Sequence, residues 1–99
     1  MKSIQSPQEL KDILAKNNPS TILLDVRTTE EYQYGHIDTA INFDIRGNDL
    51  FEKIQKLDKS KTYILYCQSG SRSQLASILM NQKGLDVINC QFGYSSFEE

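Results

Sequence analysis

Cys67 follows the apolar run TYILY (residues 62–66), and Gln68, Ser69, Gly70 and Ser71 separate it from Arg72. A loop of that composition can curl around a sulfur atom with its backbone N–H groups pointing inward as an anion-binding nest. A helix opening near Ser73 adds the positive end of its dipole. Arg72 adds a permanent charge, and Gly70 permits the tight or left-handed backbone that such a curl needs. Each feature favours thiolate over thiol. The Cys67 thiol is therefore expected below the ordinary cysteine value of about 8.5, as a solvent-open nucleophile above a preformed anion cradle. The competing structural reading is a small buried hydrophobe at a strand end. The Cys-x4-Arg spacing, with small residues between and a helix directly behind, favours the functional one.

A thiolate in such a cradle suits two chemistries. Attack on a phosphate ester must enclose a tetrahedral dianion with its oxygens. Sulfur transfer must hold only the charged terminal sulfur of a persulfide, which fits a smaller ring of donors. The short Cys67-to-Arg72 loop favours the smaller cradle.

The surrounding elements must put that loop at a strand end. Ser6-Pro7-Gln8-Glu9 starts a helix with Ser6 as cap, Pro7 at the first helical position and Glu9 closing a capping box. Leu10, Ile13 and Leu14 form its inner face, and residues 17–20 (NNPS) stop it. TILLDV (21–26) reads as a buried strand. Thr28 to Glu31 is a second capping box, opening a short helix that ends near Gly35. Residues 40–43 suit a brief strand, and 49–57, with Leu50, Phe51, Ile54 and Leu57, a helix. TYILY is β-branched and aromatic, hence a strand. Residues 73–83 form a helix with Leu75, Ile78 and Leu79 inward and Gly84 as its stop. Residues 87–89 make a last strand, and the tail QFGYSSFEE suits another short helix. Strands alternating with helices predict an α/β domain with a mostly parallel sheet, in which ligands bind beyond the carboxyl ends of the strands. Cys67 lies at such an end.

The bulk numbers fit this picture. A chain of 99 residues suggests one domain spanning 1–99. With 38% hydrophobic and 24% charged residues it reads as an ordinary globular protein, and its net charge of -2 does not point to nucleic acid or an anionic membrane surface. No leader or transmembrane-length apolar run is evident, so the cytoplasm is the expected compartment. Cys67 and Cys90 are too few for a disulfide scaffold, and with His36 the single histidine they match no zinc motif, so no metal is expected.

Four segments resemble the rhodanese family. LLDVRTTEEYQYGHIDTAINFDI (23–45) is similar to its first signature, with Asp-Val-Arg, Glu-Tyr, Gly-His-Ile and Ala-Ile-Asn in order. ILYCQSGSRS (64–73) is similar to its active-site strand and loop, SQLASILMNQKGL (73–85) to the helix that follows, and VINCQFGYSSFEE (87–99) to its closing segment. The resemblance implies a small α/β domain of about five strands with helices on both faces. It implies a sulfurtransferase of the thiosulfate type that needs no cofactor. Cys67 would accept sulfur as a persulfide and pass it to cyanide or a thiol. Gln68, Ser69, Gly70, Ser71, Arg72 and Ser73 would bind the transferred sulfur, and Arg72 would also meet the sulfonate end of thiosulfate. Asp25 and Arg27 would brace the loop, Glu31 would cap its helix or partner Arg27, and His36 would order the turn before the third strand. Implied partners are a small-molecule sulfur donor, an acceptor, and a sulfur-relay protein, with no nucleic acid or membrane. The alternatives are a docking or relay module with little activity on free thiosulfate, and a Cys-dependent phosphatase or arsenate reductase, against which loop length argues.

Departures from the family pattern sit at Asp38-Thr39, where relatives often carry Pro-Gly, at Phe92 in place of glycine, at Phe97 in place of tryptophan, and at Gln68, where many carry a basic residue. The closing loop is therefore expected to lie differently over the site, and the Gln68 substitution to weaken thiosulfate attraction. Cys90, at a core position, reads as a buried free thiol rather than a resolving partner.

Overall fold

The computed structural model describes residues 2–97; Met1 and the tail residues Glu98 and Glu99 lie outside the described residues. The elements run β1 (Lys2–Ile4), α1 (Pro7–Ala15), β2 (Thr21–Asp25), α2 (Thr29–Tyr34), β3 (Ile41–Asn42), α3 (Leu50–Gln55), β4 (Thr62–Tyr66), α4 (Ser71–Gln82), β5 (Asp86–Cys90) and α5 (Tyr94–Phe97). The strands form one five-stranded sheet in the order β1-β5-β4-β2-β3, and every pair is parallel. The expected α/β architecture is present.

β4 is the central strand, and its alternation builds both cores. Tyr63, Leu65 and, just beyond the strand, Cys67 face a layer containing Ile54 of α3 and Ala76 and Met80 of α4. Ile64 and Tyr66 face the other layer, with Leu10 of α1, and Tyr94 and Phe97 of α5 packed against it. A strand buried on both faces reads as a continuous apolar run, which is why TYILY is legible as a strand. From β2 the chain steps outward to β3, and from β4 it steps the other way to β5. The order therefore reverses between β2 and β4, and the crevice beyond their carboxyl ends is where such sheets bind ligands.

The helix starts follow their signals with one variation. Ser6 Oγ accepts the Glu9 N–H at 3.2 Å, but the Glu9 carboxylate returns to the Gln5 N–H at 2.9 Å rather than to that of Ser6. At α2 the box is complete: Thr28 Oγ1 accepts from Glu31 N at 3.1 Å, and Glu31 Oε1 accepts from Thr28 N at 3.0 Å.

Two elements differ from expectation, and one turn is strained. β1 gives no sequence signal because it is a short edge strand with one buried apolar residue, Ile4. α4 starts at Ser71, and its inner face is Ser73, Ala76, Ser77 and Met80, whereas Leu75 is 58% and Ile78 41% exposed. The cause is the cysteine loop. Ser73 must lie against the Cys67 sulfur, which fixes the rotation of the helix, and the small residues one turn on let it sit close to β4 and β5. At the Asp38-Thr39 turn, Thr39 takes φ +73°. A β-branched residue holds that left-handed conformation at a cost of about 1–2 kcal/mol.

The rotation of α4 can be tested by urea denaturation. Met80→Ala is expected to cost about 2–5 kcal/mol, and Leu75→Ala no more than about 0.5 kcal/mol. The reverse ranking would contradict this orientation.

Candidate active site

The loop after β4 closes around its own sulfur. Cys67 Sγ accepts the Gly70 N–H at 3.0 Å and the Ser73 N–H at 3.4 Å, and the Ser73 hydroxyl lies 3.6 Å away. Gly70 makes the curl possible at φ +105°, immediately before α4. Among the described residues, no amide of Gln68, Ser71 or Arg72 makes a hydrogen bond to Sγ, so the nest is built by fewer groups than the full loop.

Burial, acting alone, would push the Cys67 thiol up. The Ser73 N–H and hydroxyl and the N–H groups of Ser69 and Gly70 oppose it and together hold the thiol below its ordinary value. A hydrogen bond to a charged acceptor is worth about 1.5–3 kcal/mol, enough for several together to outweigh desolvation. Arg72, expected to supply charge to the sulfur, is committed elsewhere. Its guanidinium forks onto Glu31 at 2.7 and 2.9 Å and holds that carboxyl at about 2. Glu31 is thus both a cap and the partner of Arg72, not of Arg27.

The sulfur is not open. Cys67 is 0% exposed, packed in the core layer with Leu65, Met80 and Val87, and the segment after β5 lies against the backbone of the loop. Tyr94 N–H donates to Cys67 O at 2.9 Å, and Ser95 Oγ lies 3.4 Å from Gln68 O. Gly93 presses on the loop backbone so closely that a Cβ there would stand 1.8 Å from Gln68 O. The closing segment is engaged with the loop despite Phe92 and Phe97. Beside the loop is an opening of about 230 Å³ lined by Arg27, Glu31, Tyr34, Gly35, Gln68 and Tyr94.

Asp25 and Arg27, at the end of β2, form a buried post under this opening. Arg27 Nη2 is 2.7 Å from Asp25 Oδ2, with relative exposures of 2% and 0% for the two residues. Asp25 Oδ2 also accepts the Tyr66 hydroxyl at 2.7 Å, and that hydroxyl accepts Ile37 N–H at 3.1 Å. Burial, and then the neighbouring Asp25 carboxylate, push the Tyr66 phenol up, so it remains a proton donor. Arg27 also donates to Gly35 O at 2.6 Å and to the Gln68 side-chain oxygen at 3.0 Å. The last bond ties the post to the cysteine loop. His36 stacks on Tyr32 with ring centroids 3.7 Å apart, and its Nδ1 lies 2.8 Å from Tyr32 O, as expected of a residue that orders the turn.

Cys90 is also 0% exposed, and burial, then the nearby Cys67, push its thiol up to about 12. It packs with Ile64 and Tyr66, whereas Cys67 packs with Leu65 and Val87 on the opposite face of the sheet. Side chains pointing to opposite faces cannot be bridged without backbone movement, so Cys67 and Cys90 do not pair in this arrangement. A larger groove of about 520 Å³ lies at the amino ends of β2 and β3, with Asp38 its one titratable lining residue. It lies at the far end of the sheet from Cys67, whereas the smaller opening lies beside the cysteine loop. The Glu31–Arg72 and Arg27–Gln68 contacts each join residues 41 positions apart, and no sequence pattern announced them.

Residues 6–99 match the family described as the rhodanese-like domain. The chain is 37% identical over 76 residues to a putative sulfurtransferase of Bacillus subtilis, a match covering 77% of this chain and 72% of that protein. It is 34% identical over 88 residues to the thiosulfate:glutathione sulfurtransferase of Saccharomyces cerevisiae, covering 78% of this chain and 63% of that one. The crystal structure of a rhodanese-like domain protein from Staphylococcus aureus superposes with a TM-score of 0.85 at 29% identity, over 98% of this chain and 91% of that one.

Two measurements probe the loop. The ultraviolet absorbance of the thiolate should titrate at lower pH in the folded protein than in the urea-unfolded chain, and this low-pH step should vanish in Cys67→Ser. Because the folded value is depressed, the thiolate is retained as pH falls until that lower value is crossed. Loss of the step in Cys90→Ser instead would contradict the assignment. Gly93→Ala should destabilise the fold by about 3 kcal/mol, since the colliding atoms are backbone; a change within about 0.5 kcal/mol would contradict the close approach.

Proposed function

Because this chain belongs to the rhodanese-like domain family and is similar to proteins named as sulfurtransferases, we propose that it moves a sulfane sulfur from a donor such as thiosulfate to cyanide or a thiol through a persulfide on Cys67. The observation that carries this reading is the convergence of the Gly70 and Ser73 N–H groups on one buried sulfur at 3.0 and 3.4 Å. In the first step the Cys67 thiolate attacks the outer sulfur of thiosulfate. The S–S bond breaks, sulfite leaves with the bonding pair, and Cys67 is left as a persulfide anion. In the second step the acceptor attacks the terminal sulfur. Cyanide departs as thiocyanate and the electron pair returns to Cys67. Neither step needs an external oxidant or reductant, and the covalent intermediate implies ping-pong kinetics.

Within this reading residues 68–73 hold the transferred sulfur, while Asp25 and Arg27 position the loop without touching the reacting atoms. The enclosed sulfur requires its surroundings to yield for each transfer. The fork from Arg72 to Glu31 supports a role for Arg72 in holding α2 against the loop, and gives less support to a contact with sulfonate. The loop between Cys67 and Arg72 holds only four residues, which supports sulfur transfer over phosphatase or arsenate-reductase chemistry. A second reading, a relay module that draws sulfur from another protein's persulfide, is favoured by the neutral Gln68 side chain at the opening. We take residues 1–99 as one domain acting in the cytoplasm; among the described residues no helix is long and apolar enough to cross a membrane.

Incubation with thiosulfate and then cyanide should yield thiocyanate, and intact mass should show one added sulfur before cyanide is supplied. Cys67→Ser should abolish both signals, and Cys90→Ser should preserve both. Full turnover by Cys67→Ser would contradict the assignment.

A further inference from the structure

The groove at the amino ends of β2 and β3 encloses about 520 Å³, with apolar walls that include Ile13 and Leu14 of α1 and the 55% exposed Ile41 of β3. That size and lining are those of a ligand site. Along one side runs an unpaired sheet edge. At the ends of β2, Ser20 O accepts the Thr62 N–H and the Val26 N–H donates to Tyr66 O, so the even-numbered residues aim their backbone at β4. Asp25 O accepts the Phe43 N–H, so the odd-numbered ones aim at β3. β3 pairs only from Leu24 onward. The pairing of Leu24 with Ile41 occupies the Leu23 C=O, and the Thr21 N–H donates to Asn18 O at 3.0 Å. The Leu23 N–H and the Thr21 C=O point into the groove with no hydrogen-bond partner among the described residues.

The chain before β3 is held off this edge. The Ala40 N–H donates to Ile37 O at 3.0 Å and closes a turn, in which Thr39 sits at φ +73°. Among the described residues other than glycine, only Asn17 and Thr39 take a left-handed φ, and both line the groove. Backbone strain at the wall of a cavity points to function. A longer β3 would place Thr39 on the two free backbone groups; the turn leaves them to another chain. We propose that the groove takes an extended peptide segment of a partner protein, added to the β2 edge, with apolar side chains in the groove and a basic residue against Asp38. In the parallel register of this sheet one residue of the segment satisfies both groups, donating its N–H to Thr21 C=O and accepting from Leu23 N–H. Asp38 is exposed, is the one titratable lining residue and makes no salt bridge among the described residues, so it sets the sign of charge the segment carries. A segment bound here, at the far end of the sheet from Cys67, leaves the cysteine loop uncovered, and this site stands independently of the persulfide reading.

NMR titration of the isotope-labelled protein provides the test. The probes are the capped peptide acetyl-Ile-Lys-Ile-amide, its counterpart with glutamate in place of lysine, and a fully N-methylated form of the lysine peptide. The lysine peptide should shift the amides of residues 21–23 and 38–41 saturably, with a Kd of about 1 mM. It should move the Leu23 N–H downfield as that group gains an acceptor, and slow its hydrogen exchange. The glutamate peptide should bind about threefold more weakly, and Asp38→Asn should erase that preference. The N-methylated peptide has no N–H to donate and should give no saturable shift. No saturable shift at residues 21–23 up to about 10 mM lysine peptide, or equal binding of the N-methylated form, overturns the strand-addition site. Equal binding of the lysine and glutamate peptides overturns the assignment of Asp38 and leaves strand addition standing.

Discussion

A sulfur anion without solvent around it must be held by donors, and this requirement organises the whole molecule. Cys67 has no exposed surface, yet its thiol is lowered rather than raised, because N–H groups of Gly70 and Ser73 meet it at 3.0 and 3.4 Å. These donors belong to the backbone and cannot swing away as a lysine could. Their position depends on Gly70 turning left-handed and on α4 starting where Ser73 falls against the sulfur. The rotation of α4, its inward face of small residues and the outward Leu75 and Ile78 all follow from that contact.

The rest of the fold keeps the loop in place. β4 carries Cys67 to the point where the strand order reverses, and β2 ends beside it with Asp25 and Arg27. Removing one partner of such a buried pair costs about 3–5 kcal/mol. The pair is therefore a firm post, and its remaining bonds to Tyr66, Gly35 and Gln68 couple three segments to one point. On the other side the Arg72–Glu31 fork links α4 to α2, and Gly93 allows the closing segment to lie flat on residues 68 and 69. Cys90, similar in burial but on the opposite face with apolar neighbours, illustrates the contrast: without local donors, burial pushes its thiol up to about 12.

Much of this was legible in the residues themselves. TYILY, the box at Thr28–Glu31 and the Cys67-to-Arg72 loop carry their geometry locally, in alternation, in a reciprocal cap and in a glycine. What stayed hidden depends on tertiary position. β1 is too short to show a period. The inner face of α4 was misread because hydrophobicity points to Leu75 and Ile78, whereas the sulfur contact at Ser73 sets the rotation. The burial of Cys67 stays hidden because Met80 and Val87, which share its core layer, are distant in sequence. Glu31 caps α2 as the spacing suggests, but its ion partner is Arg72 rather than Arg27, a choice between two arginines that spacing cannot make.

The account as a whole stands on where a transferred sulfur comes to rest. A crystal structure of the protein soaked with a sulfur donor would locate it. The expected result is density for one additional sulfur on Cys67 Sγ, with loop amides of residues 69–73 within hydrogen-bonding distance and Cys90 unmodified. An unmodified Cys67 with the added sulfur on Cys90, or an added sulfur on Cys67 turned away from those amides, would contradict it.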